Sequence, residues 1–183
     1  MLDINAIYGK GLAQRVLALV PEPVKVALAL AGIPEDKWWV IGGAVLDVAD
    51  GRPARDIDIV FESPPSLEKD REALVRTALL AQGLTVGSNA HNSVRIPGPP
   101  LEIDLWATAR ADFMRTRPIE VTGTSVRGDG VFWAAKGFFN RTSRVFVNRF
   151  TVAPGSPYTA QGTAEYYVAK YKDKGYHLTI VEG

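Results

Sequence analysis

Residues 38–61 read WWVIGGAVLDVADGRPARDIDIVF, and the fold is decided by how this stretch is read. Trp38 to Ile41 is a short apolar run, the pattern of a buried strand. Gly42 and Gly43 turn the chain, and Ala44 to Ala49 suits a helix that starts at once. Glycine lets the backbone approach a phosphate closely, and a helix N-terminus presents unpaired N–H groups and a positive dipole end. Gly51 and Pro53 punctuate, and Asp56 to Phe61 reads as a second strand in which acidic and apolar residues alternate. That alternation puts Asp56 and Asp58 on one face. Two such carboxylates repel each other unless a cation lies between them. Hard oxygen ligands suit magnesium, with manganese the other candidate, and phosphate oxygens and water complete the shell.

A third carboxylate, Asp104, follows in the predicted strand LEIDLW, residues 101–106. If that strand pairs beside the first, three carboxylates converge, the layout of two-metal phosphoryl transfer. Taken singly, these signals are common. A glycine pair is usually a turn, and a lone D-x-D occurs on solvated strand edges or holds the metal of a sugar nucleotide in glycosyltransferases. Here the acids are embedded in apolar strand sequence, where an unpaired charge is costly.

Outward from this centre, Lys10 to Val20 and Pro23 to Ala31 read as helices, the second ended by Gly32 and Pro34. Ser66 to Gln82 is the clearest amphipathic helix, with Leu67, Leu74, Ala78 and Leu79 on one side. Ser66 is its expected N-cap and Gly83 its C′ residue. Short strands are expected at Leu84 to Gly87 and Ser93 to Ile96, with a turn at PGPP, residues 97–100. Further strands are expected at Ile119 to Gly123, Gly130 to Trp133, Val145 to Val147 and His177 to Val181, with a helix from Tyr158 to Lys174. The order predicts an α+β class, a small mixed sheet flanked by helices. A single domain over 1–183 is expected, with the chemical signature in 38–110 and a C-terminal extension over 119–183.

The 183 residues are 46% apolar and 22% charged, with a net charge of +1, so any basic surface must be local. Absence of cysteine excludes disulfides and thiolate metal sites. The start MLDINAIYGK does not read as a signal peptide, and VLALVPEPVKVALALAG is too interrupted by Pro21, Pro23 and Lys25 to span a bilayer. No membrane partner is expected, and a cytoplasmic location is.

The stretch GGAVLDVADGRPARDID resembles the head-domain signature of tRNA CCA-adding enzymes and bacterial poly(A) polymerases, in the polymerase-beta-like nucleotidyltransferase superfamily. NSVRIPGPPLEIDLW is similar to the hairpin that follows it there. The resemblance implies a polymerase-beta-like fold and transfer of a nucleoside monophosphate from an NTP such as ATP to an acceptor hydroxyl. It implies that Gly42 and Gly43 contact the triphosphate, that Asp56 and Asp58 bind both metals, and that Asp104 binds the catalytic metal and helps deprotonate the acceptor. Arg55 reads as a phosphate contact or equally as a solvated strand-edge charge, and Arg110 corresponds to a basic residue after the third carboxylate, one residue out of register. The pattern departs in having Leu46 where the family has arginine, and the acidic-acidic-x-x-arginine templating motif is missing. Full CCA addition is not expected of this chain alone.

An RNA 3′ end, tRNA-like, is the favoured acceptor, with a protein side chain or small molecule as alternatives. Two other functions stand beside this one: a nucleotide- or RNA-binding module without chemistry, and a D-x-D glycosyltransferase or nuclease, which leaves the glycine pair unexplained. His91 and His177 are isolated, so a zinc role is not expected, and His91 reads as a loop residue. Residues 130–150 mix Lys136, Arg141, Arg144 and Arg149 with aromatics. Core packing is expected for most of the aromatics, and a single-stranded acceptor surface for the basic groups. The basic end of the helix bearing Lys170, Lys172 and Lys174 is explained by its dipole.

Overall fold

A computed structural model describes residues 2–98, 100–109, 113, 117, 119–141, 145–148 and 164–181. The chain divides into two compact units, the first comprising Met1–Phe113 with Ser125–Trp133, the second Met114–Thr124 with Ala134–Gly183.

The first unit opens with α1 (Ile4–Leu17), capped by Asp3, whose carboxylate accepts from the amides of Asn5 and Ala6. α2 (Glu22–Leu30) carries proline in its first turn and buries Val24, Ala27 and Leu28. β1 (Trp38–Ile41), α3 (Gly43–Ala49) and β2 (Asp56–Glu62) follow, within a residue of their expected bounds. Then come α4 (Glu68–Ala81), β3 (Gly87–Ser88), β4 (Val94–Ile96), β5 (Glu102–Thr108), β6 (Ser125–Arg127) and β7 (Phe132–Trp133). The sheet order is β3-β4-β5-β2-β1-β6-β7. Only β2 and β5 run parallel; the other pairs are antiparallel, so the sheet is mixed and the class α+β, as expected. Trp38 and Val40 of β1, Ile57, Ile59 and Phe61 of β2, and Ile103 and Leu105 of β5 form the buried centre.

Two expectations about α4 fail. Ser66 has φ +67, a left-handed conformation, and the helix begins at Glu68 behind Leu67 without a side-chain cap. Its buried residues are Glu72, Val75 and Leu79, whereas Leu67 and Leu74 are exposed. Glu72 hid this face from a hydrophobicity reading. Its carboxylate pairs with the exposed Lys69 at 3.0 Å. The other end behaves as expected. Gly83 has φ +79, its amide donates to the Leu80 carbonyl, and the Leu84 amide donates to that of Leu79, a Schellman closure.

In the second unit the expected strand at Ile119 to Gly123 is instead a 3₁₀ turn, Glu120–Gly123. There the Thr122 hydroxyl donates to the Ile119 carbonyl at 2.6 Å, a local bond that competes with strand pairing. β8 (Val145–Asn148) and β9 (Leu178–Val181) form a parallel pair. α5 (Ala164–Lys172) sets Tyr171 5.7 Å from the buried ring of Tyr176. The expected start of that helix, residues 158–163, lies outside the described residues, as do Arg110, Arg144 and Arg149. Phe138 is buried beneath the Arg141 guanidinium at 4.5 Å, while Phe139 is exposed. Among the described residues no helix is long and apolar enough to cross a membrane.

Candidate active site

β2 and β5 pair so that Asp56 lies opposite Glu102, and Asp58 opposite Asp104. Both strands alternate over their first four residues. Ile57, Ile59, Ile103 and Leu105 are buried on one side, so Asp56, Asp58, Glu102 and Asp104 share the other. Neighbouring strands lie about 4.8 Å apart, which makes Asp58 and Asp104 immediate neighbours. The three carboxylates singled out from the sequence thus stand on one face of two adjacent strands. Asp56 is exposed and Asp58 half-buried. Among the described residues no three acidic or histidine groups are drawn into a single metal-holding cluster.

β1 supplies the third wall. Ile41, its last residue, lies opposite Asp58, so the chain leaves the sheet beside that carboxylate. Gly42 makes the exit with φ +75 and ψ −140, a conformation open to glycine and strained for other residues. A Cβ at Gly42 would stand 3.7 Å from Asp58 Oδ2, so the glycine turn and the carboxylate face each other closely. Gly43 begins α3, and Leu46, at the position of the missing arginine, is fully buried. Arg52 ties the following loop by donating to Asp47 at 3.0 Å and pairing with Asp50 at 3.0 Å. Arg55 is exposed at the entrance to β2.

The sequence reading missed Arg95. β4 places it opposite Asp104, and its guanidinium forks onto that carboxylate, Nε to Oδ1 at 2.8 Å and Nη2 to Oδ2 at 2.9 Å. Nη2 also reaches Glu102 Oε1 at 3.3 Å. The signal was present: Arg95 is the one charge in the run Val94–Arg95–Ile96, whose apolar members are buried, so it must lie on the acidic face. The fork supplies one positive charge to a face holding four carboxylates. Charge-assisted bidentate bonds of this length are strong and fix the orientation of Asp104.

His91 is exposed in a tight turn, where the Asn89 side-chain oxygen accepts from the amides of His91 and Ser93 at 3.0 Å each. This is the loop role expected of it. His177 is exposed in the other unit.

No protein-family model matches the chain, and no curated protein sequence does. Solved structures do. A tRNA-processing enzyme complex is similar with a TM-score of 0.56 and 13% identity, over 85% of this chain and 43% of that one. The Thermotoga maritima CCA-adding enzyme complexed with tRNA is similar with a TM-score of 0.51 and 17% identity, over 74% of this chain and 35% of that one. A tRNA nucleotidyltransferase complexed with a primer tRNA and an incoming ATP analog gives 0.50 and 14%, over 67% of this chain and 37% of that one. The chain spans less than half the length of each. The likeness shows a fold shared with these enzymes.

Proposed function

We propose that the protein is a metal-dependent nucleotidyltransferase that moves a nucleoside monophosphate from an NTP to an acceptor hydroxyl, an RNA 3′ end being favoured. The observation that carries this reading is the parallel register of Asp58 with Asp104, with Asp56 on the same face and the Gly42 turn against Asp58. The donor set fits magnesium or manganese: it is all oxygen, acidic and open on one side. Asp56, Asp58 and Asp104 are the residues that would hold two such ions. When bound, the ions supply activation of the attacking hydroxyl and neutralisation of the triphosphate.

The chain's own residues do the rest. Gly42 and Gly43 would let the backbone lie against the triphosphate without a side chain in the way, and Arg55, exposed before β2, would meet phosphate. The acceptor oxygen bonds to the α-phosphorus as the bond to pyrophosphate breaks. Asp104 would help take the hydroxyl proton once released from Arg95. Positioning and charge account for most of the catalysis in such transfers.

One observation favours a second reading. The fork of Arg95 neutralises Asp104, as would suit a module that holds nucleotide or RNA without chemistry. One experiment tests transfer to RNA. The protein is incubated with each labelled NTP, magnesium and total cellular RNA, with Asp56→Ala/Asp58→Ala as control. Label in RNA with the unmutated protein alone supports transfer and reports the base preference. Bound nucleotide without label in RNA moves the reading to another acceptor or to the binding module.

A further inference from the structure

A cavity of about 400 Å³ opens at the far end of the strands that carry the carboxylates. Asp56 begins β2 and Glu62 ends it. Six residues at about 3.3 Å each separate the two ends by about 20 Å. The cavity is therefore distinct from the acidic face. It lies beyond the carboxyl ends of the parallel pair, where the Ser63 amide donates to the Thr108 carbonyl at 3.0 Å.

Its lining combines an apolar wall with excess positive charge. Ile33, Pro34 and Pro64 give the wall, and Arg71 of α4 and Lys37 give the charge, against one acid among the described residues, Glu62. Lys37 Nζ is 3.1 Å from Glu62 Oε2, but the two side chains are 48% and 39% exposed, so this pair is weak and readily exchanged. The Arg71 guanidinium has no hydrogen bond or ion pair among the described residues. A half-buried guanidinium without a carboxylate among the described residues is a planar fork ready for an oxyanion. The volume falls within the range of small-molecule sites, roughly 300–1,000 Å³.

We infer that this cavity is a second site, which binds a small organic anion with its carboxylate or phosphate on Arg71 and its apolar body against Ile33, Pro34 and Pro64. The site does not depend on the transferase reading.

The test is calorimetric titration of the full chain, in EDTA, with phenyl phosphate, benzoate and the neutral benzyl alcohol. Saturable binding of an anion but not of the alcohol is expected, and the tighter anion identifies the ligand as a phosphate ester or a carboxylic acid. Arg71→Gln weakens it about tenfold or more, the loss of hydrogen bonds to a charged group. Arg71→Lys, which keeps the charge but not the fork, weakens it less. Asp58→Asn leaves it unchanged. Thermal melting checks that the variants fold, and if Arg71→Gln does not, Arg71→Lys must still weaken binding. Absence of saturation with either anion, unchanged binding in both Arg71 variants, or loss of binding in Asp58→Asn overturns the inference.

Discussion

Replacing Arg95 with glutamine tests the charge balance of the acidic face. The substitution keeps side-chain bulk and removes the fork on Asp104 and the contact with Glu102. Two effects follow. Hydrogen bonds to a charged group are lost, worth about 1.5–3 kcal/mol. The guanidinium's attraction for Asp58, two strands or about 10 Å away, is lost as well, about 1.7 kcal/mol at an effective dielectric near 20. Arg95 and Asp104 are 33% and 17% exposed, so water screens part of both. A net loss of about 2–4 kcal/mol is expected, and with about 2–4 °C per kcal/mol at this size, melting falls by about 4–16 °C. The assay is thermal denaturation of both proteins in EDTA and again in millimolar magnesium. In EDTA the variant melts lower by that amount. In magnesium the gap narrows, because a cation takes over the charge that the guanidinium supplied. Equal melting in EDTA refutes the claim that Arg95 neutralises these carboxylates. A gap that magnesium leaves untouched refutes the claim that the same carboxylates take the metal.

Gly42→Ala forces a side chain into φ +75, ψ −140 with its Cβ against Asp58, and is expected to cost about 1–3 kcal/mol in urea denaturation and to weaken NTP binding. Leu79→Ala, at a fully buried position, is expected to lose about 2–5 kcal/mol, whereas Leu74→Ala, 51% exposed, changes stability by no more than about 0.5 kcal/mol; equal costs would show the buried face of α4 to be misassigned. Asp129 is held below the usual aspartate range, chiefly by the side-chain hydrogen bond from Arg127. A depressed carboxylate contributes stability that is present above its ordinary value, near pH 4, and is lost as the pH falls through the lowered one. NMR titration should show Asp129 protonating below other exposed aspartates, and Arg127→Gln should return it to their range.

The sequence by itself determined what local periodicity and backbone geometry carry. The two-residue alternation in DIDIVF and LEIDLW fixed which side of each strand is acidic. The glycine pair after an apolar run fixed the turn into α3. Gly83 fixed the end of α4, because a left-handed residue there closes the last turn. These are properties of adjacent residues, and they stood in the structure. Tertiary structure alone decided the rest. Asp58 faces Asp104 because β2 and β5 pair in parallel across an intervening helix and hairpin, and long-range register leaves no trace in either strand's own pattern. Arg95 became the counter-charge of Asp104 only when β4 was laid antiparallel on β5. The buried face of α4 ran through Glu72, an acid that a hydrophobicity pattern assigns to solvent and that pairs with Lys69 at 3.0 Å. Three-residue β6 was invisible for a related reason: a strand that short is made by its partner β1, which supplies the hydrogen bonds its own sequence cannot announce.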